Sequence, residues 1–126
     1  MNKIDILNDF KRTINNDNYE SVITITKDDL KEIDDYEIVG TISSYLHDSN
    51  DDLSFNMIND NKPTYCIINF IVSKEFKISA MHNIIKEIEC MFPDVYLRIG
   101  TYLDNNMNHL CKIKAILLNG GNSNEW

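Results

Sequence analysis

Glycine, proline and tryptophan are scarce in this chain, with four, two and one among its 126 residues. That composition excludes collagen-like and Gly/Pro-rich low-complexity architectures. No apolar run approaches the roughly 18 residues of a membrane-spanning helix. No charged segment leads into an apolar one at the start, so a soluble, unexported, cytoplasmic protein is expected. Cys66, Cys90 and Cys111 show no C-x-x-C spacing and sit among apolar neighbours. They read as three buried thiols in a reducing compartment, not as a disulfide framework or a zinc site. His47, His82 and His109 lack a His or Cys partner one helical turn away, so no metal site is expected. No glycine-rich phosphate loop of the G-x-x-x-x-G-K-[ST] type occurs, and no cofactor is expected. Arginine is limited to Arg12 and Arg98, too few to converge on an anionic substrate in a site between subunits. These gaps point to a protein that is not an enzyme.

What is present is acid, and it is unevenly spread. Residues 1–61 hold 14 Asp/Glu against 5 Lys/Arg, whereas residues 62–126 hold 6 against 7, for a formal net charge of −8. This balance repels nucleic acid phosphates and leaves a protein partner as the expected ligand. The acidic half reads either as a solubilising surface or as one that receives a basic protein. Asp28, Asp29, Asp34 and Asp35 are the candidate contacts for such a partner. A hydrophobic fraction of 43% is ample for one domain with a real core.

Periodicity lays out the elements. Ile4, Leu7, Phe10 and Ile14 predict an N-terminal helix with Asn2 as cap and the Asn-rich run 15–18 as its end. Residues 21–26 alternate with β-branched side chains and predict a short strand. Thr26 and Asp29 open a short helix to about Asp34. The segment Tyr36–Tyr45 is rich in Ile, Val and Thr and is read as a strand. Ser49 caps an acidic helix over 50–59 with Leu53, Met57 and Ile58 as its stripe.

Tyr65–Val72 is almost wholly apolar, as in a strand covered on both faces. Ser79 caps an amphipathic helix with stripe Met81, Ile84, Ile85, Ile88 and Met91, stopped by Pro93. Residues 95–103 alternate cleanly, and residues 110–118 form the last strand, joined to its predecessor as a hairpin through the turn 104–108. Gly120 and Gly121 end the structure, and 122–126 is read as a frayed tail. Tyr96, Arg98 and Tyr102 fall on one face of the strand 95–103, a candidate protein-binding stripe because such residues anchor interfaces.

With these elements placed, the second half is similar to the C-terminal domain of FtsZ, the bacterial tubulin-like division protein. The resemblance rests on Asn69 within Tyr65–Phe70, Pro93–Asp94 before an apolar strand, Gly100 and Asp104 four residues apart, and Lys112–Leu118 leading to Asn119–Gly120. It covers residues 65–121. It implies one α+β domain over 1–126, with a mixed four-stranded sheet packed against helices in a two-layer sandwich. Residues 1–61 form its acidic part, and 62–121 the FtsZ-like unit.

The family's nucleotide loop is missing. Its activating carboxylates have only a partial counterpart in Asp29, because Thr26 stands where the first would be. The family's extended linker and docking peptide have no counterpart in 122–126. The resemblance therefore implies a non-enzymatic protein-interaction module, accessory to an FtsZ-like filament or cell-division system and able to self-associate. A small acidic immunity- or antitoxin-type inhibitor of a basic protein is the alternative.

Overall fold

The computed structural model describes residues 3–14, 19–23, 25, 36–46, 53–106 and 111–120. Its elements in chain order are α1 (Lys3–Ile14), β1 (Glu20–Ile23), β2 (Glu37–Leu46), β3 (Phe55–Met57), β4 (Tyr65–Val72), α2 (Ile78–Met91), β5 (Tyr96–Leu103) and β6 (Cys111–Asn119). The chain is α+β with a mixed sheet and helices packed on it. The six strands take the order β1-β5-β4-β6-β2-β3, two more than the four expected, because β1 and β3 extend the edges. Among the described strands β4 and β5 are the only parallel neighbours.

β4 decides this arrangement. All eight of its residues are buried, so it needs a neighbour on each side and cover on both faces. β5 takes one side and β6 the other. The expected β5–β6 hairpin is therefore not formed. β6 lies between β4 and β2, pairing with β2 from Glu37↔Asn119 to Leu46↔Cys111. Leu103 and Cys111 both stand opposite Val72, on either side of β4 and about 10 Å apart at two strand spacings. Asp104 follows β5. Its N–H donates to the Val72 carbonyl at 2.9 Å, and its Oδ1 accepts from the Asn106 N–H at 2.9 Å. That is the turn chemistry expected of an aspartate.

Alternation along the strands splits the core between two faces. On one, α2 lays Ile84 and Ile88 over Cys66, Ile68, Phe70, Ile113 and Leu117. On the other, α1 lays Ile6 and Phe10 over Ile67, Ile116 and Leu118. Ile38 faces the α1 side and Val39 the α2 side by ordinary alternation, and a bulge between Ile38 and Gly40 shifts the parity so that Ile42 faces the α2 side as well.

Several local expectations shift for packing reasons. The buried side of α1 is Ile6, Phe10 and Thr13, and Ile4 is 69% exposed. Two overlapping apolar stripes share Phe10, and only the sheet selects between them. Residues 55–57 form β3 and not part of a helix. Phe55 turns toward Phe92, with ring centroids 6.1 Å apart, and the Met57 sulfur packs against Gly40. Lys77, not Ser79, is the N-cap of α2 and makes no side-chain cap bond. At the other end Met91 is exposed, and Phe92 turns inward as the helix stops before Pro93. The expected helix over 27–34, the tail 122–126, His47 and His109 lie outside the described residues.

Candidate functional site

Strands β4 and β5 start together at one end of the sheet, where Tyr65 and Tyr96 are register partners. Tyr65 is 8% exposed and Tyr96 63% exposed. Their rings meet edge to face at 5.4 Å, and Tyr36 meets the far side of Tyr65 at 5.6 Å. Such contacts each contribute about 0.5–1.5 kcal/mol beyond area burial. The backbone beneath is pinned: the Tyr96 N–H donates to the Thr64 carbonyl at 2.9 Å, and the Thr64 N–H to the Leu118 carbonyl at 2.8 Å. The Thr64 hydroxyl oxygen accepts the Gly120 N–H at 2.7 Å, and the Asn119 amide donates to the Lys62 carbonyl at 2.6 Å. An exposed phenol is thus presented on a fixed base, with exposed Arg98 two residues along the same strand face.

The third member of the expected stripe does not join them at the surface. Tyr102 is 1% exposed, and its hydroxyl oxygen accepts the Ile25 N–H at 3.3 Å. Burial pushes its phenol above the usual range, and the Ile25 N–H offsets part of that rise. The stripe therefore divides into a surface pair, Tyr96 and Arg98, and a core tyrosine. The division falls at Gly100, against which the Ile25 side chain packs. A Cβ there would lie 2.5 Å from Asn69 Oδ1 and 2.9 Å from Ile25 Cγ1. The β4–β5 register runs through Gly100 without a bulge, so the glycine serves close packing. Asn69 is fully buried, and neither atom of its amide has a hydrogen-bond partner among the described residues. Asp28, Asp29, Asp34 and Asp35 lie outside the described residues.

The nucleophile inventory is short. Cys66 and Cys111 are buried, and burial pushes each thiol up to about 12, so both stay protonated at neutral pH. Cys90 is exposed on α2, which corrects the expectation of three buried thiols: it follows Glu89 on the outward side of the helix, away from Ile84 and Ile88. His82 is exposed on the same helix. Among the described residues no three His, Cys, Asp or Glu side chains converge as a metal-binding group. No described helix is long and apolar enough to cross a membrane.

The Tyr96–Arg98 patch was visible in the alternation of β5, but Tyr36 and Tyr65 were not. Tyr65 reads as one apolar residue of a buried strand, and its role as a support for Tyr96 depends on β4 and β5 being neighbours. No family model matches the chain, and no curated protein matches it.

Proposed function

We propose that the protein is a non-enzymatic protein-interaction module that engages its partner through Tyr96 and Arg98. The observation that carries this reading is the 63% exposed Tyr96 ring held edge-on by the buried Tyr65. An exposed aromatic costs little conformational entropy to bind when it is already held, and Tyr and Arg are enriched among residues that dominate binding energy. The resemblance to the FtsZ C-terminal domain supplies the partner class, an FtsZ-like filament. It rests on the motif residues and not on strand pairing: Asn69 and Gly100 are register partners in contact, and Asp104 forms the turn.

Co-sedimentation with polymerised FtsZ tests the reading. The protein is expected to pellet with the polymer, and Tyr96→Ala to weaken pelleting by roughly 30-fold, the effect of losing about 2 kcal/mol at a central anchor. No pelleting, together with no change in GTP turnover, sinks the filament reading.

The charge asymmetry favours a second reading, an immunity- or antitoxin-type inhibitor whose acidic residues 1–61 cover a basic protein. A toxin gene directly upstream would support it, and a neighbouring cell-division cluster would count against it.

A further inference from the structure

A second surface lies over β6, β2 and β3 on the α1 side of the sheet, separated from the Tyr96 strand by β4. There β2 and β6 pair in rows, with Thr41 beside Ile116, Ser43 beside Lys114 and Tyr45 beside Lys112, and β3 adds Asn56 beside Thr41. Ile6, Asp9 and Phe10 of α1 form one wall of a groove of about 550 Å³ over the Thr41 and Ser43 rows, and the Tyr45–Lys112 row continues the same face beyond its lining. That volume falls in the range of ligand sites, roughly 300–1,000 Å³. Its floor includes Ile42 and Ala115, whose side chains belong to the core on the opposite face. The groups it offers are mostly able to donate: the hydroxyls of Thr41, Ser43 and Ser54, the Asn56 amide and the Lys114 ammonium. Among the described residues Asp9 is the one carboxylate in the lining.

Two cations mark this surface in a chain of net charge −8. Lys114 is mostly sheltered, with 21% of its side chain exposed, and its Nζ lies 3.6 Å from Asp9 Oδ2. Asp9 is shared with Arg12, whose guanidinium is 3.5 Å from Oδ1. The geometry at Lys114 therefore already accommodates one carboxylate. Lys112 stands two residues along the same strand face, about 7 Å away at the rise of a β-strand. Its ammonium sits 5.5 Å from the centre of the Tyr45 ring.

We propose that this groove docks an extended acidic segment of a partner protein, with carboxylates at positions i and i+2 meeting Lys114 and Lys112. Same-side side chains of an extended peptide repeat at the same spacing of about 7 Å, so charge and register match together. A polyanion fits less well. A nucleic acid duplex carries a charge every ~1.7 Å, and two lysines against a net −8 cannot neutralise it. The inference goes beyond the Tyr96 reading and does not depend on it. Asp9 acts in it as an internal competitor for the incoming carboxylate.

Fluorescence anisotropy at low ionic strength tests the proposal on the full chain. The probe is a labelled short peptide of alternating Glu and Thr, compared with a Lys–Thr peptide and a short oligothymidylate. The Glu–Thr peptide is expected to bind best. Lys112→Glu and Lys114→Glu should each weaken it at least about tenfold, and Asp9→Asn should tighten it several-fold by releasing Lys114. The tightening by Asp9→Asn keeps the outcome decisive even if a charge reversal perturbs folding. Binding unaffected by all three substitutions overturns the proposal. So does an absence of binding, or oligothymidylate binding that equals the peptide's and depends on the same lysines.

Discussion

Gly100→Ala is the substitution whose cost the structure defines most closely. The added Cβ would stand 2.5 Å from Asn69 Oδ1, 2.9 Å from Ile25 Cγ1 and 3.1 Å from Ile25 Cδ1. Ile25 is 2% exposed and Asn69 fully buried, so neither side chain has open space to retreat into. Overpacking of this kind costs typically about 1–3 kcal/mol. Replacing glycine also restricts the unfolded chain, which returns about 0.4–1 kcal/mol. A net loss of roughly 1–2 kcal/mol follows.

The partner substitution Asn69→Ala makes the test specific. It removes an amide with no hydrogen-bond partner among the described residues, so its desolvation cost disappears along with its packing. It also clears the nearest atom in the path of the new Cβ. In a double-mutant cycle by urea unfolding, the cost of Gly100→Ala should shrink by about 1 kcal/mol or more in the Asn69→Ala background. Additive losses, or a Gly100→Ala protein within about 0.5 kcal/mol of the parent, would refute the close-packing account.

Two further predictions concern the cysteines. Stability should fall as pH rises from 8 to 10. The unfolded thiols ionise around 9, whereas burial holds Cys66 and Cys111 at about 12, so the folded state keeps protons that the unfolded state releases. The loss is about 1.4 kcal/mol per thiol by pH 10. Chemical denaturation in that window should show it, Cys66→Ala should remove about half of the slope, and a flat profile would rule it out. In the native state a chromogenic disulfide reagent should modify Cys90 rapidly and the other two thiols only after unfolding. A second fast thiol would contradict the burial of Cys66 or Cys111.

Local pattern was enough for elements whose character is carried by their own residues. The apolar run Tyr65–Val72, interrupted by Asn69 alone, is a strand with both faces covered, and β5 shows its alternation over Tyr96–Ile99. The β-branched segment Glu37–Leu46 is also the strand that its composition implies. Pattern failed where the deciding contact is distant. β3 is only three residues long, too short for periodicity to register, and its strand form depends on pairing with Gly40–Ile42. The hairpin expectation failed because proximity in sequence favours pairing β5 with β6, while burial of β4 on both sides requires β6 beside it.

The candidate surfaces divide in the same way. Tyr96 and Arg98 were visible as one strand face, yet nothing local separates an exposed Tyr96 from a buried Tyr102. That difference arises because Ile25, far away in the chain, packs against Gly100 and donates its N–H to the Tyr102 hydroxyl. The groove bounded by Asp9 and Lys114 was not visible, since it joins α1 to β2, β3 and β6.

The amino-acid sequence by itself determined which segments are apolar, which alternate, and that acid gathers in the first half, because these are properties of neighbouring residues. Strand order, the choice of α1 face and the exposure of each tyrosine were decided only in the tertiary structure. Each depends on which distant segment arrives to cover a given side chain.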